Sequence, residues 1–179
     1  FPGDRENGGV FKHATMMFTR ALLEGAKRDY SPALKEKMVD DAFFMLNLVY
    51  PYHSLRNPYL FKGNPRFCTQ YNNSVTQENI GPILSGTATW LTLSLWEEAG
   101  FETRDSLLSF HPCLPKEASR FAYSFLFQGC RYEVEAEKGK GEYAFAVSSL
   151  SLNGEKQDPD VPFSAPKGSK EAHIHIQMK

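Results

Sequence analysis

Apolar residues recur at helical spacing in three stretches of the first hundred residues. The first extends from about Gly9 to Ala26, and the second from Pro32 to Val49, with Ser31 as its N-cap. The third follows Ser85 and ends near Gly100, which suits a C-terminal glycine cap. The pattern predicts three helices, the first two joined as an antiparallel hairpin. The apolar positions of the first helix are predicted to be Val10, Phe11, Ala14, Phe18, Ala21 and Leu22.

In the last third of the chain the apolar period changes to two, which is typical of β-strands. Phe121 to Phe127 and Tyr132 to Ala136 alternate apolar with smaller or charged residues. Tyr143 to Leu152 is predicted as a returning strand, and Ala172 to Met178 as the last strand. The predicted tight turns are Lys138 to Gly141 and Asn153-Gly154. These elements predict an antiparallel β-sandwich, so the fold class is α+β.

A long connection without regular period, from Tyr50 to Pro82, separates the second and third helices. A loop of this length inside a compact domain is usually functional or disordered, and its many aromatic residues disfavour disorder. Aromatic rings beside amide side chains suit a sugar, although an ordinary packed connection explains them equally well. The candidate sugar contacts are Arg66, Gln70, Asn72, Asn73 and Glu78.

The start of the first helix has the features of an anion site. Gly8 and Gly9 let the backbone pass close to another group, and Lys12 and His13 follow in the first helical turns. A cation and an imidazole near free backbone N–H groups suit an anionic ligand. The alternative is that His13 is a packed or solvated residue and that the glycines only form a turn.

A second stretch of this kind, Ser85 to Trp90, precedes the third helix. It offers the hydroxyl of Ser85 and the backbone of Gly86, so two helix starts would face one phosphate. The alternative for Ser85 is a simple N-cap.

Composition limits the partners of the chain. A formal net charge of −1 disfavours nucleic acid, and no apolar run approaches the length of a membrane span. Three cysteines without metal-type spacing indicate reduced thiols and a cytoplasmic protein. His173 and His175 share one strand face, but Gln177 continues that face, so a solvated surface is predicted there and no metal site.

Three motifs resemble successive signatures of the glycoside hydrolase family 94 phosphorylases, the cellobiose and chitobiose phosphorylase group. They are Arg5 to Ala14, Ser85 to Trp90 and Asp105 to Pro115, in the order that the family shows. The stretch Gly63 to Ser74 looks more like the β-1,2-oligoglucan phosphorylase branch. The chain opens directly on the first motif, so we interpret it as a C-terminal part of a longer polypeptide.

This resemblance implies that residues 1–104 are the closing helices of an (α/α)6 barrel and residues 105–179 a jelly-roll-like β-sandwich domain. It implies an inverting glycosyltransferase reaction in carbohydrate metabolism: inorganic phosphate cleaves a β-linked gluco-oligosaccharide and α-glucose 1-phosphate is formed. His13, Ser85 and Gly86 match the phosphate-binding positions, although the family usually has Thr where Ser85 stands.

The resemblance also places the general acid, an Asp, upstream of Phe1, so the chain alone is expected to be inactive. Its expected partners are the rest of the parent polypeptide, the oligosaccharide and phosphate, with no further cofactor. Family members often dimerise, which makes a homodimer a further expectation. Two other classes remain open at this point: an (α/α)6 glycoside hydrolase and a non-catalytic carbohydrate-binding fragment. A plain helical-plus-β scaffold is the simplest alternative.

Overall fold

The computed structural model describes residues 1–50, 59, 62, 68–81 and 86–179. These residues form two compact units that interleave along the sequence. The helical unit contains Phe1–Glu24 and Asp40–Leu95, and the sheet unit contains Gly25–Val39 and Trp96–Lys179. The predicted domains, residues 1–104 and 105–179, remain a prediction.

Three helices lie where the apolar spacing predicted them: α1 is Lys12–Ala26, α2 is Pro32–Val49 and α3 is Thr87–Ala99. Helix α2 begins at Pro32 after Ser31, whose carbonyl accepts the Leu34 and Lys35 N–H groups. None of the described helices is both long and apolar enough to cross a membrane. The (α/α)6 barrel remains a prediction.

Helix α1 begins later than predicted because the two residues before it form a strand. Strand β1, Val10–Phe11, pairs antiparallel with β2, Tyr71–Asn72, which pairs in turn with β3, Asn79–Ile80. The predicted apolar stripe of α1 is also out of phase with its buried face, since Val10 is 52% and Phe18 56% exposed. The fully buried side chains of α1 are those of Met16, Thr19, Leu23 and Ala26.

The sheet unit is built on a five-stranded sheet of order β6-β7-β10-β8-β9, together with the two-stranded sheet β4-β5. The prediction of a purely antiparallel sandwich was wrong at one pairing, because β7 and β10 run parallel. All other pairings in this unit are antiparallel. The strands are β4 Phe101–Arg104, β5 Leu107–Phe110, β6 Arg120–Phe127, β7 Cys130–Glu137, β8 Val147–Leu152, β9 Glu155–Gln157 and β10 Glu171–Met178.

Tight turns connect three of the strand pairs. The turns Asp105-Ser106, Gln128-Gly129 and Asn153-Gly154 each have positive φ at both residues, as type I′ hairpin turns require. The prediction for Asn153-Gly154 is confirmed. The prediction of a hairpin turn at 138–141 was wrong, since β8 pairs with β10 and β9, whereas β7 pairs with β6 and β10.

The core of the sheet unit lies against one face of the five-stranded sheet. Alternate residues of β7 and β10 point into it, including Val134, Ile174 and Ile176. Leu108 and Phe110 from β5 cover this face, and Leu108 and Phe163 exchange backbone hydrogen bonds beside it. The opposite face is polar and carries His173 and His175, which are exposed as predicted.

Candidate functional site

The glycine-rich loop before α1 folds back on itself. Gly3 and Gly8 have positive φ, and a Cβ atom placed on Gly9 would lie 2.7 Å from the carbonyl oxygen of Arg5. The Gly9 N–H donates to that same oxygen at 2.7 Å. Only glycine fits so close an approach of two backbone segments, so the paired glycines are required by the turn itself.

His13, the second residue of α1, is half-buried, and its ring meets that of Phe11 edge to face at 5.6 Å between centroids. Its Nδ1 atom is buried and has no hydrogen-bond partner among the described residues. A buried polar atom is normally paired with protein, water or ligand. His13 therefore has an unused donor or acceptor at the start of the helix.

Gly86 directly precedes α3 and lies close to His13. Its carbonyl oxygen accepts the Trp90 N–H at 2.9 Å, in the first turn of the helix. A Cβ atom placed on Gly86 would lie 3.8 Å from the Cβ atom of His13 and 3.2 Å from Cδ1 of Trp90. Two predicted phosphate positions, 73 residues apart in the sequence, are thus neighbours. The third, Ser85, lies outside the described residues.

The first turn of α3 has backbone N–H groups without partners inside the helix, as every helix start does. Such groups attract anions, and Gly86 itself adds no side chain beside them. Beside them, His13 offers a ring nitrogen. The arrangement can hold a small oxyanion with one imidazole contact and backbone donors.

Lys12 is buried and forms the centre of a polar network. Its ammonium donates to Oγ1 of Thr69 at 2.7 Å and to Oδ1 of Asn79, and the Thr69 hydroxyl donates to the same Asn79 oxygen at 2.8 Å. Desolvation by burial lowers the pKa of Lys12 from 10.5 to about 8, and the electrostatic interaction with Cys68 acts in the opposite direction. This cation is held by neutral oxygens.

Asn72 and Asn73, two of the candidate sugar contacts, take different positions. Asn73 is buried, and its Oδ1 accepts the N–H groups of Val75 and Thr76 at 2.8 and 3.0 Å, which holds the turn between β2 and β3. Asn72 is half-buried, and its Nδ2 donates to the carbonyl of Gln77 at 3.1 Å. Asn73 is therefore engaged by its own loop, whereas Asn72 retains a side-chain oxygen.

The remaining candidate sugar contacts are Gln70, Glu78 and Arg66. Gln70 is half-buried, and its backbone carbonyl accepts the Lys12 N–H at 3.0 Å. The carboxylate of Glu78 pairs with the ammonium of Lys62 at 2.9 Å. Arg66 lies outside the described residues. The sugar-contact role of these residues remains a prediction.

Asp4, a carboxylate in the glycine-rich loop, accepts a hydrogen bond from the Tyr71 hydroxyl. It thereby joins the loop to β2, where Tyr71 is buried. This contact gives Asp4 a structural role, and the position of the general acid stays a prediction. Among the described residues, no three His, Cys, Asp or Glu side chains converge as metal ligands.

Comparison with known protein families found a similarity for part of the chain. Residues 101–153 match the family described as "Glycosyl hydrolase family 65, C-terminal domain". The matched segment includes β4 to β8 of the sheet unit, and His13 and Gly86 lie outside it. It suggests a carbohydrate-active enzyme of the glycoside hydrolase or phosphorylase type. A search of curated proteins gave no match.

The sequence reasoning did not select Lys12 and Asn79 as site residues. Lys12 was noted only as a cation near a helix start, and Asn79 only as one of many asparagines in a loop. The available signal was the position of this lysine, between the apolar residues Val10 and Phe11 and the start of a helix. A lysine that is buried at such a position needs oxygen atoms as hydrogen-bond partners. Those partners, Thr69 and Asn79, are 57 and 67 residues away, and their proximity depends on the β1-β2-β3 pairing.

Proposed function

We propose that the chain is the C-terminal part of an inverting glycoside phosphorylase. The enzyme would cleave a β-linked gluco-oligosaccharide with inorganic phosphate and release α-glucose 1-phosphate. Phosphate would bind at His13, Ser85 and Gly86, and the general acid would come from the polypeptide upstream of Phe1. We extend the proposal to a cytoplasmic enzyme that acts without a further cofactor and assembles as a homodimer.

The observation that carries the proposal is the closeness of His13 and Gly86. A buried Nδ1 atom without a partner among the described residues belongs to a side chain near the start of α3, where Gly86 itself has no side chain. Phosphate at neutral pH has several acceptor oxygens, and it is well held by imidazole, hydroxyl and backbone N–H donors. The family 65 match to the sheet unit supports a carbohydrate substrate independently of these residues.

In the proposed reaction, a phosphate oxygen attacks the anomeric carbon as the glycosidic C–O bond breaks. The departing oxygen takes a proton from the upstream acid, and the sugar leaves as a phosphate ester of inverted configuration. The residues of this chain hold the attacking group: an Nδ1–H or Nε2–H of His13 donates to one phosphate oxygen, and the start of α3 donates to another. No carboxylate base is needed, because phosphate is itself the nucleophile.

A glycoside hydrolase is the second candidate, since the matched family is described as a glycosyl hydrolase family. A hydrolase would use water in place of phosphate. The two candidates therefore differ in whether sugar release requires phosphate.

The test is phosphorus NMR of the longer polypeptide that contains this chain, incubated with β-linked gluco-disaccharides and inorganic phosphate. We expect an α-glucose 1-phosphate signal, and no turnover by the 179-residue chain alone. His13→Ala removes a hydrogen bond to a charged group, so we expect the phosphate KM to rise roughly ten- to hundred-fold.

His173→Ala is the matched control, because it removes an exposed histidine of the sheet unit and should leave the phosphate KM unchanged. Release of free sugar at the same rate without phosphate would show that the enzyme is a hydrolase and not a phosphorylase. An equal phosphate KM in the His13→Ala and His173→Ala variants would show that α1 does not contribute to the phosphate site.

A further inference from the structure

A cleft of about 590 Å³ opens in the helical unit, within the range of sites for small organic ligands. Its apolar lining residues include Val10, Phe44 and Leu48, which are 52%, 65% and 58% exposed. Its polar lining residues include Asn72, Ser74 and Gln77, and Asn72 is the cross-strand partner of Val10. The lining therefore combines an aromatic ring with several hydrogen-bonding groups.

One polar lining residue, Asn72, has free hydrogen-bonding capacity. Asn72 donates through Nδ2 to the carbonyl of Gln77 at 3.1 Å and to Oδ1 of Asn79 at 3.4 Å, and no described residue donates to its own Oδ1. The amide is thus oriented, with its oxygen left as an acceptor. The network around Lys12 fixes Asn79 and through it this orientation. Lys12 is therefore a positioning residue for Asn72.

The charged residues that line the cleft limit the kind of ligand that fits it. Among the described residues that line it there is no carboxylate, and the one cation, Lys12, is 5% exposed and already donates to two neutral oxygens. A ligand with a flat apolar face and several hydroxyl groups fits both the apolar and the polar lining residues. Saccharides have this character, since axial C–H groups pack on an aromatic ring while the hydroxyls need donors and acceptors.

We propose that this cleft is a saccharide subsite in which a neutral glucosyl unit packs on Phe44 and donates a hydroxyl to Oδ1 of Asn72. The choice of a β-linked glucan as ligand rests on the proposed function, whereas the saccharide class rests on the cleft alone. The subsite is separate in composition from the phosphate position, because neither His13 nor Gly86 lines the cleft.

The test is isothermal titration calorimetry of the full 179-residue chain with β-1,2- and β-1,4-linked glucotrioses in phosphate-free buffer. We expect binding with a Kd of about 1 mM or tighter for at least one of them. Phe44→Ala removes the ring and should weaken binding roughly three- to ten-fold, as the loss of a ring contact predicts. Asn72→Ala removes the acceptor and should weaken it by a similar factor.

Phe18→Ala is the matched control, since Phe18 is an equally exposed helical phenylalanine, 56% exposed, that does not line the cleft. It should leave the affinity unchanged, and circular dichroism should show all variants folded. No heat of binding with either glucotriose, or equal weakening by Phe18→Ala and Phe44→Ala, would overturn the subsite. If the chain binds no glucotriose but self-associates, and Phe44→Ala abolishes the self-association, the cleft is a contact between two copies of the chain and the subsite is wrong.

The phosphate-free design separates this inference from the proposed function. If the longer polypeptide shows no phosphorolysis but the glucotriose binds in a Phe44-dependent way, the phosphorylase fails and the subsite stands. If phosphorolysis depends on His13 while no glucotriose binds the cleft, the subsite fails and the phosphorylase stands.

Discussion

Most of the buried polar side chains among the described residues belong to the helical unit, whereas the sheet unit has a continuous apolar core. In the sheet unit, apolar residues from β5, β7, β8 and β10 form one continuous core around Leu108 and Phe110. In the helical unit, Lys12, Thr69 and Asn79 are buried as a hydrogen-bonded network, while large apolar side chains such as Phe18 and Phe44 remain exposed.

This difference suggests that the sheet unit contributes most to the stability of the fold and the helical unit most to ligand binding. Burial of apolar area is the main favourable term in folding, and the sheet unit has most of its large buried side chains in one cluster. Buried polar groups add little net stability but fix the orientation of the groups they bind. The helical unit is therefore where we expect ligands, and the sheet unit is where we expect substitutions to cost most.

The largest expected effect is that of Phe110→Ala in the sheet unit. Phe110 is fully buried, so its truncation leaves a cavity and should lower the free energy of unfolding by about 3–5 kcal/mol. Phe18→Ala makes the same change at an exposed site of the helical unit and should stay within about 0.5 kcal/mol. Urea unfolding followed by circular dichroism measures both, and equal losses would contradict the comparison.

A backbone substitution of intermediate effect is Gly100→Ala, just after α3. Gly100 has φ of +65°, and a Cβ atom there would lie 2.0 Å from the carbonyl carbon of His111. The sum of αL strain and backbone displacement should cost roughly 2–4 kcal/mol. Gly154→Ala is the control, because Gly154 also has positive φ but no atom within 4 Å of the added Cβ. It should cost about 1 kcal/mol, and an equal cost for the two would show that contact with His111 does not matter.

The smallest effect is a pH dependence that distinguishes the units. Glu98 in the sheet unit is buried, its Oε2 has no partner among the described residues, and burial raises its pKa from 4.5 to about 7. Between these values the folded state keeps the proton that the unfolded chain has released. The free energy of unfolding should therefore fall as pH rises from 4.5 to 7, by about 1–3 kcal/mol.

Glu98→Gln should remove this slope and leave the variant more stable than the original chain at pH 8. Lys12 gives the opposite slope in a separate window, since its folded pKa of about 8 lies below its ordinary value of 10.5. The folded state releases that proton first, so stability should rise between pH 8 and 10.5. Thermal unfolding midpoints across this range provide the measurement, and a slope below pH 7 that survives in Glu98→Gln would contradict the assignment.

Local sequence signals predicted the elements better than their arrangement. The Ser31-Pro32 helix start, the end of α3 at Gly100 and the Asn153-Gly154 turn were all predicted, because each depends on residues adjacent in sequence. The alternation of apolar residues also predicted that β6 and β7 are strands.

The wrong predictions concern features that depend on residues far apart in the sequence. Residues 138–141 have the composition of a hairpin turn, but β10 takes the position beside β7 that the hairpin required for β8. The apolar stripe of α1 had the right period and the wrong phase. The side of a helix that is buried depends on its neighbours, such as Ser94 of α3, whose hydroxyl donates to the Met16 carbonyl at 2.9 Å.

By itself, the sequence determined where three helices and most of the strands lie, and which glycines have to turn the backbone. Periodicity and capping act within a few residues, so they can be read along the chain. Only the tertiary structure decided that His13 lies near Gly86, that Lys12 is buried against Asn79, and that β7 and β10 run parallel. These contacts join residues far apart in sequence, and packing of whole elements selects them.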